Sequence, residues 1–205
     1  MKPMCIYTDG ACSNNGYSNA CAGIGIFFGF NDERNVSERI NGKQTNNVAE
    51  LLALFRTGII MKNELENKTL IHIYSDSQYA IKCVTTYGEK LERKKWKNGS
   101  KKIPNLELVQ KAYTFFKEYS TVFFKYIKAH TTLKDHHSIG NQNADRLAQE
   151  AISKICKKSE KKKIEHEKEK QGHPEHIGEN NNNLILEKIQ KIEEKLDKIL
   201  ILLTV

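Results

Sequence analysis

"MCIYTDGACSNNG", residues 4–16, begins as an apolar strand and then sets Asp9 and Gly10 directly after Tyr7 and Thr8. A carboxylate is out of place at the end of a core strand, and the glycine beside it leaves room for something to approach closely. Taken singly, such an Asp is a turn former or a helix cap, because its side chain bonds nearby backbone amides. The reading therefore depends on whether other carboxylates arrive at the same place.

Outward from this stretch, residues 4–8, 22–30 and 34–40 read as three strands separated by Gly, Asn and Asp, an antiparallel meander. Thr45 or Asn46 then caps a helix whose Val48, Leu51, Leu52, Phe55 and Ile59 recur at helical spacing. Residues 69–75 return to strand, Ser77–Val84 form a short helix, Asn105–Tyr119 another, and Val122–Lys128 the last strand. Ala144, Leu147, Ala148, Ala151, Ile152 and Ile155 line a final amphipathic helix. Strands separated by helices after an opening meander predict an α/β fold, a mixed five-stranded sheet flanked by helices.

Three further acids mirror Asp9. Glu50 falls in the second turn of its helix, Asp76 follows the strand "IHIYS", and Asp145 falls in the first turn of the last helix within "GNQNADRLAQEA". Strand ends and helix starts of an open sheet face one crevice. Each acid has a plainer explanation, dipole capping for Asp76 and Asp145 and solvation for Glu50. Four together are different, since two carboxylates about 4 Å apart repel by roughly 4 kcal/mol at an effective dielectric near 20. Either some hold protons or divalent cations lie between them. An all-oxygen donor set favours magnesium, with manganese as a substitute, and suits phosphodiester hydrolysis.

At this point "YTDGACSNNG", "KQTNNVAELLAL", "IYSDSQYAI" and "KAHTTLKDHHSIGNQNADRLAQEA" resemble, in order and spacing over residues 4–155, the four catalytic segments of type 1 ribonuclease H. That family cuts the RNA strand of RNA/DNA hybrids. The resemblance implies a ribonuclease H-like fold over residues 1–156 with a C-terminal helical tail. It implies that Asp9, Glu50, Asp76 and Asp145 are catalytic carboxylates holding two magnesium ions, and that His130 assists proton transfer or product release. His136 and His137 match no such role and are assigned to the surface.

Telling RNA from DNA requires contact with the 2′-hydroxyl in a wide, shallow minor groove. Asn14, Asn15, Asn46, Asn47 and Gln78 flank the acids where the family's minor-groove contacts lie, although Asn14 in "SNNG" also suits a simple turn. Lys43, Thr45 and Asn105 match the family's pocket for a DNA phosphate, with Lys offering a point charge where Arg would offer a fork. Between Glu89 and Lys102 seven basic residues oppose two acids, a local +5 that resembles the family's basic protrusion. Tyr79, Tyr87 and Trp96 supply aromatic surface for stacking there. Leu91 departs from the pattern, standing where many relatives have Trp.

A chain of 205 residues, net charge +8 and pI near 9.1 accommodates one catalytic domain and an appendage, and its charge suits a polyanionic partner. Five cysteines without C-x-x-C spacing indicate a reducing compartment, so the protein reads as soluble and intracellular, cytoplasmic in preference to nuclear, with no membrane partner. With Asp9 so near the start, no N-terminal hybrid-binding module is expected. Residues 157–183, rich in Lys, Glu and then Asn, read as a solvated linker with room for helix in its first turns. In residues 184–205, Ile185, Ile189, Ile192, Leu196, Ile199 and Leu203 alternate steps of four and three, a short coiled-coil seam that suggests a homo-oligomer or a partner helix. Besides a hybrid endonuclease, the sequence admits a non-catalytic hybrid-binding or assembly module on the same fold, which a missing carboxylate would favour.

Overall fold

The computed structural model describes residues 2–129 and 135–169, with the side chains of the last helix described as far as Ser153. His130 and the segment 184–205, with its proposed coiled coil and oligomeric contacts, lie outside the described residues. The chain divides into two compact units, Met1–Glu160 and Lys161–Val205, and the sheet belongs to the first.

In chain order the elements are β1 (Met4–Ser13), β2 (Cys21–Phe27), β3 (Val36–Arg39), α1 (Asn46–Ile60), α2 (Lys62–Glu66), β4 (Ile71–Ser75), α3 (Gln78–Val84), α4 (Thr86–Arg93), α5 (Leu106–Phe116), β5 (Val122–Tyr126) and α6 (His136–Glu169). The five strands form one mixed sheet in the order β3-β2-β1-β4-β5. β1 pairs antiparallel with β2 and parallel with β4, which pairs parallel with β5. The sheet is the one the sequence predicts.

Alternation along β1 sends Ile6 toward α1, where Leu51, Leu54, Ile71, Ile73 and Val109 complete a core with almost no solvent exposure. Tyr7 and Ala11 point the other way, into two smaller clusters under Ala144, Leu147, Ala148 and Ile152 of α6. Close approach of helix to sheet is made possible by glycines. A Cβ on Gly10 would collide with the backbone of Ala49 and Glu50 in α1, and one on Gly25 with the backbone of Ala144 and Ala148 in α6.

Several boundaries depart from the sequence reading. β1 continues to Ser13 instead of stopping at Thr8, because β2 pairs along it as far as Ser13↔Cys21. Asp9 therefore sits within a strand, opposite Gly25, while β4 ends opposite Thr8. β2 stops at Phe27, where Asn35 ties the following loop by accepting from Phe28 N (2.8 Å) and donating to Gly29 O (2.7 Å). α6 begins at His136, because Asp135 Oδ1 accepts from His137 N (2.9 Å) and Ser138 N (3.1 Å) and caps it. Asp145 consequently lies in the third turn, away from the helix terminus, and dipole capping does not explain it. α6 continues to Glu169, so the first turns of the Lys/Glu-rich segment are helical. Lys and Glu are good helix formers, and no Gly or Pro interrupts them before Gly172. Among the described residues no helix is long and apolar enough to cross a membrane.

Candidate active site

Four elements deliver the carboxylates. Asp9 comes from the middle of β1, Glu50 from the second turn of α1, Asp76 from the bend after β4 and Asp145 from α6. α1 is set by its Thr45 cap, whose hydroxyl accepts from Val48 N (3.4 Å), and α3 by Ser77, which accepts from Ala80 N (3.2 Å) and so fixes the bend that carries Asp76. The carboxylate oxygens of Asp9, Glu50 and Asp76 lie within 4.8 Å of one another. Asp145 lines the same cleft as these three and acts on the Asp9 carboxyl to raise its pKa. All four line a cleft of about 390 Å³ together with Gly10, Asn46 and Asn141.

Burial and crowding act together on these groups. Burial pushes the Asp9 carboxyl up from 3.8 to about 8, Asp76 and Asp145 push in the same direction, and the Gly10 N–H opposes them. Glu50 is raised well above the usual carboxylate range by burial first, then by Asp9 and Asp76. Glu50 Oε1 accepts weakly from Asn46 Nδ2 (3.5 Å), while Oε2 is buried with no hydrogen-bond partner. A site that holds Asp9 and Glu50 so far from their ordinary state is suited to having positive charge brought into it.

Asn141 is a participant that the sequence reading missed. It is only 5% exposed, donates from Nδ2 to Asp76 Oδ2 (3.5 Å), and leaves Oδ1 buried without a partner at the wall of the cleft. Its spacing of four from Asp145 puts both on one face of α6, and that spacing was the signal available. His137 corrects a second expectation. It does not lie free on the surface: its Nδ1 is 3.0 Å from Tyr7 Oη and its ring stacks on Tyr74 at 4.3 Å.

The residues expected to contact substrate surround the cleft. Asn15 Oδ1 accepts from Asn46 N (3.2 Å), which ties the "SNNG" turn to the start of α1, while Asn14 takes a left-handed backbone (φ 50°) as a turn residue does. Asn47 and Gln78 are exposed. Lys43 Nζ donates to Asn105 Oδ1 (3.0 Å) and Asn105 Nδ2 donates to Tyr79 Oη (3.0 Å), a chain that joins the expected phosphate-binding residues. Burial pushes the Tyr79 hydroxyl up to about 12, so it stays neutral in that chain. Trp96 packs edge-on against Tyr113 (6.0 Å) and lines a cavity of about 520 Å³ with Lys43, Lys97, Lys101 and Lys102. Tyr79, Tyr87 and Trp96 are all half-buried against the core, and Leu91 is within it at 2% exposure. Leu91 has thus become a packing residue. The seven cations of the protrusion are exposed.

The family model described as RNase H matches residues 1–153 of this chain. The ribonuclease H of Schizosaccharomyces pombe is 37% identical over 150 residues, 72% of this chain and 52% of that protein. A ribonuclease H of Clostridium botulinum is 31% identical over 157 residues, covering 76% of this chain and 99% of its own length. The chain spans about half the length of the Schizosaccharomyces pombe and Mus musculus relatives it matches. Among solved structures, that of LC11-RNase H1 in complex with RNA/DNA hybrid is similar at 25% identity and a TM-score of 0.51, covering 74% of this chain and 98% of the other.

Proposed function

This chain belongs to the ribonuclease H family, and on that premise we propose that it is an endonuclease that hydrolyses the RNA strand of RNA/DNA hybrids, leaving 5′-phosphate and 3′-hydroxyl ends. The observation that carries this reading is the convergence of Asp9, Glu50 and Asp76 within 4.8 Å, with Asp145 lining the same cleft. The hybrid bound by the similar LC11-RNase H1 supports the choice of substrate.

The donor set fits magnesium: all-oxygen and crowded, with Asp9 and Glu50 raised in pKa and with Glu50 Oε2 and Asn141 Oδ1 buried and unpartnered. Asp9, Glu50, Asp76 and Asp145 would hold two ions, which when bound supply activation of the attacking water and charge stabilisation at the leaving oxygen. The chain's own residues do the rest. Asn15 and Asn46, locked to each other at the head of α1, offer amide donors and acceptors to a 2′-hydroxyl at the rim of the cleft. Lys43, positioned by Asn105 and Tyr79, places one cation for a phosphate of the DNA strand, with the Thr45 hydroxyl as donor. The exposed lysines around Trp96 extend that grip along the backbone without reading sequence.

Cleavage of a labelled RNA/DNA hybrid, RNA duplex and single-stranded RNA with magnesium tests the assignment. Cleavage confined to the RNA of the hybrid, and lost in Asp9→Asn while hybrid binding persists, is the expected result. Near-normal turnover by Asp9→Asn refutes the four-acid site.

A further inference from the structure

The sheet carries a second feature, which the hydrolytic site leaves unused. α6 covers β2 and part of β1, but farther along the same side the register aligns Cys5, His72 and Phe123 in one row and Tyr7, Tyr74 and Lys125 in the next. Tyr7 stacks on Tyr74 (5.2 Å), and Tyr74 on His137 (4.3 Å). His72 meets Phe123 edge-on at 5.6 Å, and Lys125 Nζ stands 5.9 Å from the Phe123 ring centre. Phe123 is 44% exposed, unusual for a phenylalanine in a strand whose Phe124 packs into the core.

This face lies on the same side of the sheet as the catalytic cleft. Strand alternation puts Tyr7 on the same side of β1 as Asp9, and Tyr74 lies two residues before Asp76. It also carries a cation: burial first and then the neighbouring Lys125 hold the His72 imidazole below its ordinary pKa. Asp135, the acid at the head of α6, is occupied by His137 N, Ser138 N and Ser138 Oγ. The exposed Phe123 ring, edge-on to His72 and with Lys125 beside it, offers stacking to a base and an ion contact to a phosphate. A second copy of a chain with net charge +8 is the poorer electrostatic match.

We propose that the face formed by His72, Tyr74, Phe123 and Lys125 binds single-stranded nucleic acid, the unpaired continuation of a hybrid seated in the cleft. The continuation rests on the hydrolytic reading above, whereas the binding of a free single strand does not.

The test is a titration of labelled oligouridylate with the full chain in EDTA, so that no strand is cut. It is run beside magnesium-dependent cleavage of a blunt hybrid and of the same hybrid with a single-stranded RNA tail. Phe123→Ala should weaken oligouridylate binding about tenfold, the loss of one stacked base. Lys125→Ala should reduce the slope of log affinity against log salt by roughly 0.7, one phosphate contact on a single strand. Both variants should cleave the blunt hybrid at the unmutated rate and lose the preference for the tailed one. Unchanged oligouridylate affinity in Phe123→Ala overturns the proposal, as does a light-scattering change from dimer to monomer in that variant with oligouridylate binding unaffected. If the unmutated chain cuts no hybrid yet binds oligouridylate through Phe123, the hydrolytic reading fails and the binding face stands.

Discussion

Replacing Asp9 with Asn should stabilise the metal-free protein at alkaline pH and remove most of its stabilisation by magnesium. Asp9 is 6% exposed, and its carboxyl, ordinarily near 3.8, is held up to about 8. Over the interval between those values the folded chain keeps a proton that the unfolded chain has released. Stability from this group is therefore complete below about pH 4 and is withdrawn as pH rises through about 8. The size follows from the geometry: unit charges 4.8 Å apart at an effective dielectric of 20 repel by about 3.5 kcal/mol. Asn in place of Asp9 deletes that repulsion while nearly preserving shape, so a gain of about 3 kcal/mol is expected above pH 8 and almost none at pH 4. In a chain of this length that is a rise in Tm of about 6–12 °C. Thermal melts of both proteins from about pH 4 to pH 9, in EDTA and in magnesium, read it directly. Magnesium should raise the Tm of the unmutated protein at high pH and move the variant much less. Equal melting of the two proteins in EDTA across the whole range, or equal stabilisation by magnesium, would refute the argument from charge crowding.

Asn141→Ala removes a buried amide that touches Asp76 and faces the cleft; hybrid cleavage should slow with little change in hybrid affinity, measured by single-turnover kinetics beside a binding titration. Lys43→Ala, which loses the cation held by Asn105, should weaken hybrid binding and lower its salt dependence by roughly one phosphate contact while leaving the saturated rate near normal. Leu91→Ala should cost about 2–5 kcal/mol of stability by denaturant melts, since the side chain is buried in the core, with cleavage retained at low temperature. His130→Ala should leave a slow but measurable enzyme, about 10² to 10⁴-fold down, as loss of positioned proton transfer does; an unchanged rate across neutral pH would exclude the role.

Much of the architecture is local and therefore written in the sequence. The apolar run before Asp9, the helical spacing from Val48 to Ile59, a cap at Thr45 or Asn46 and a short helix after Asp76 are decided by neighbours a few residues away, and the structure has a strand, a Thr45-capped helix and a helix Gln78–Val84 at those places. That these four acids gather was legible too, through the segments in which they stand: all four line one cleft. What the chain could not display by itself is register and distance. β1 extends to Ser13 because β2 pairs with it, and Asp9 thereby becomes a mid-strand residue whose carboxyl projects where β4 has already ended. Whether Asp9, Glu50 and Asp76 meet depends on glycine at position 10 letting α1 approach the strand, a contact between residues forty positions apart. Asn141, unassigned by the sequence reading, and His137, assigned to the surface, face the cleft and the Tyr7–Tyr74 stack because α6 begins nine residues ahead of Asp145. The sequence determined which groups exist and which local segments carry them; only the tertiary structure decided which buried atoms lost their water together, because burial and the crowding of charge are properties of segments distant in the chain brought into contact.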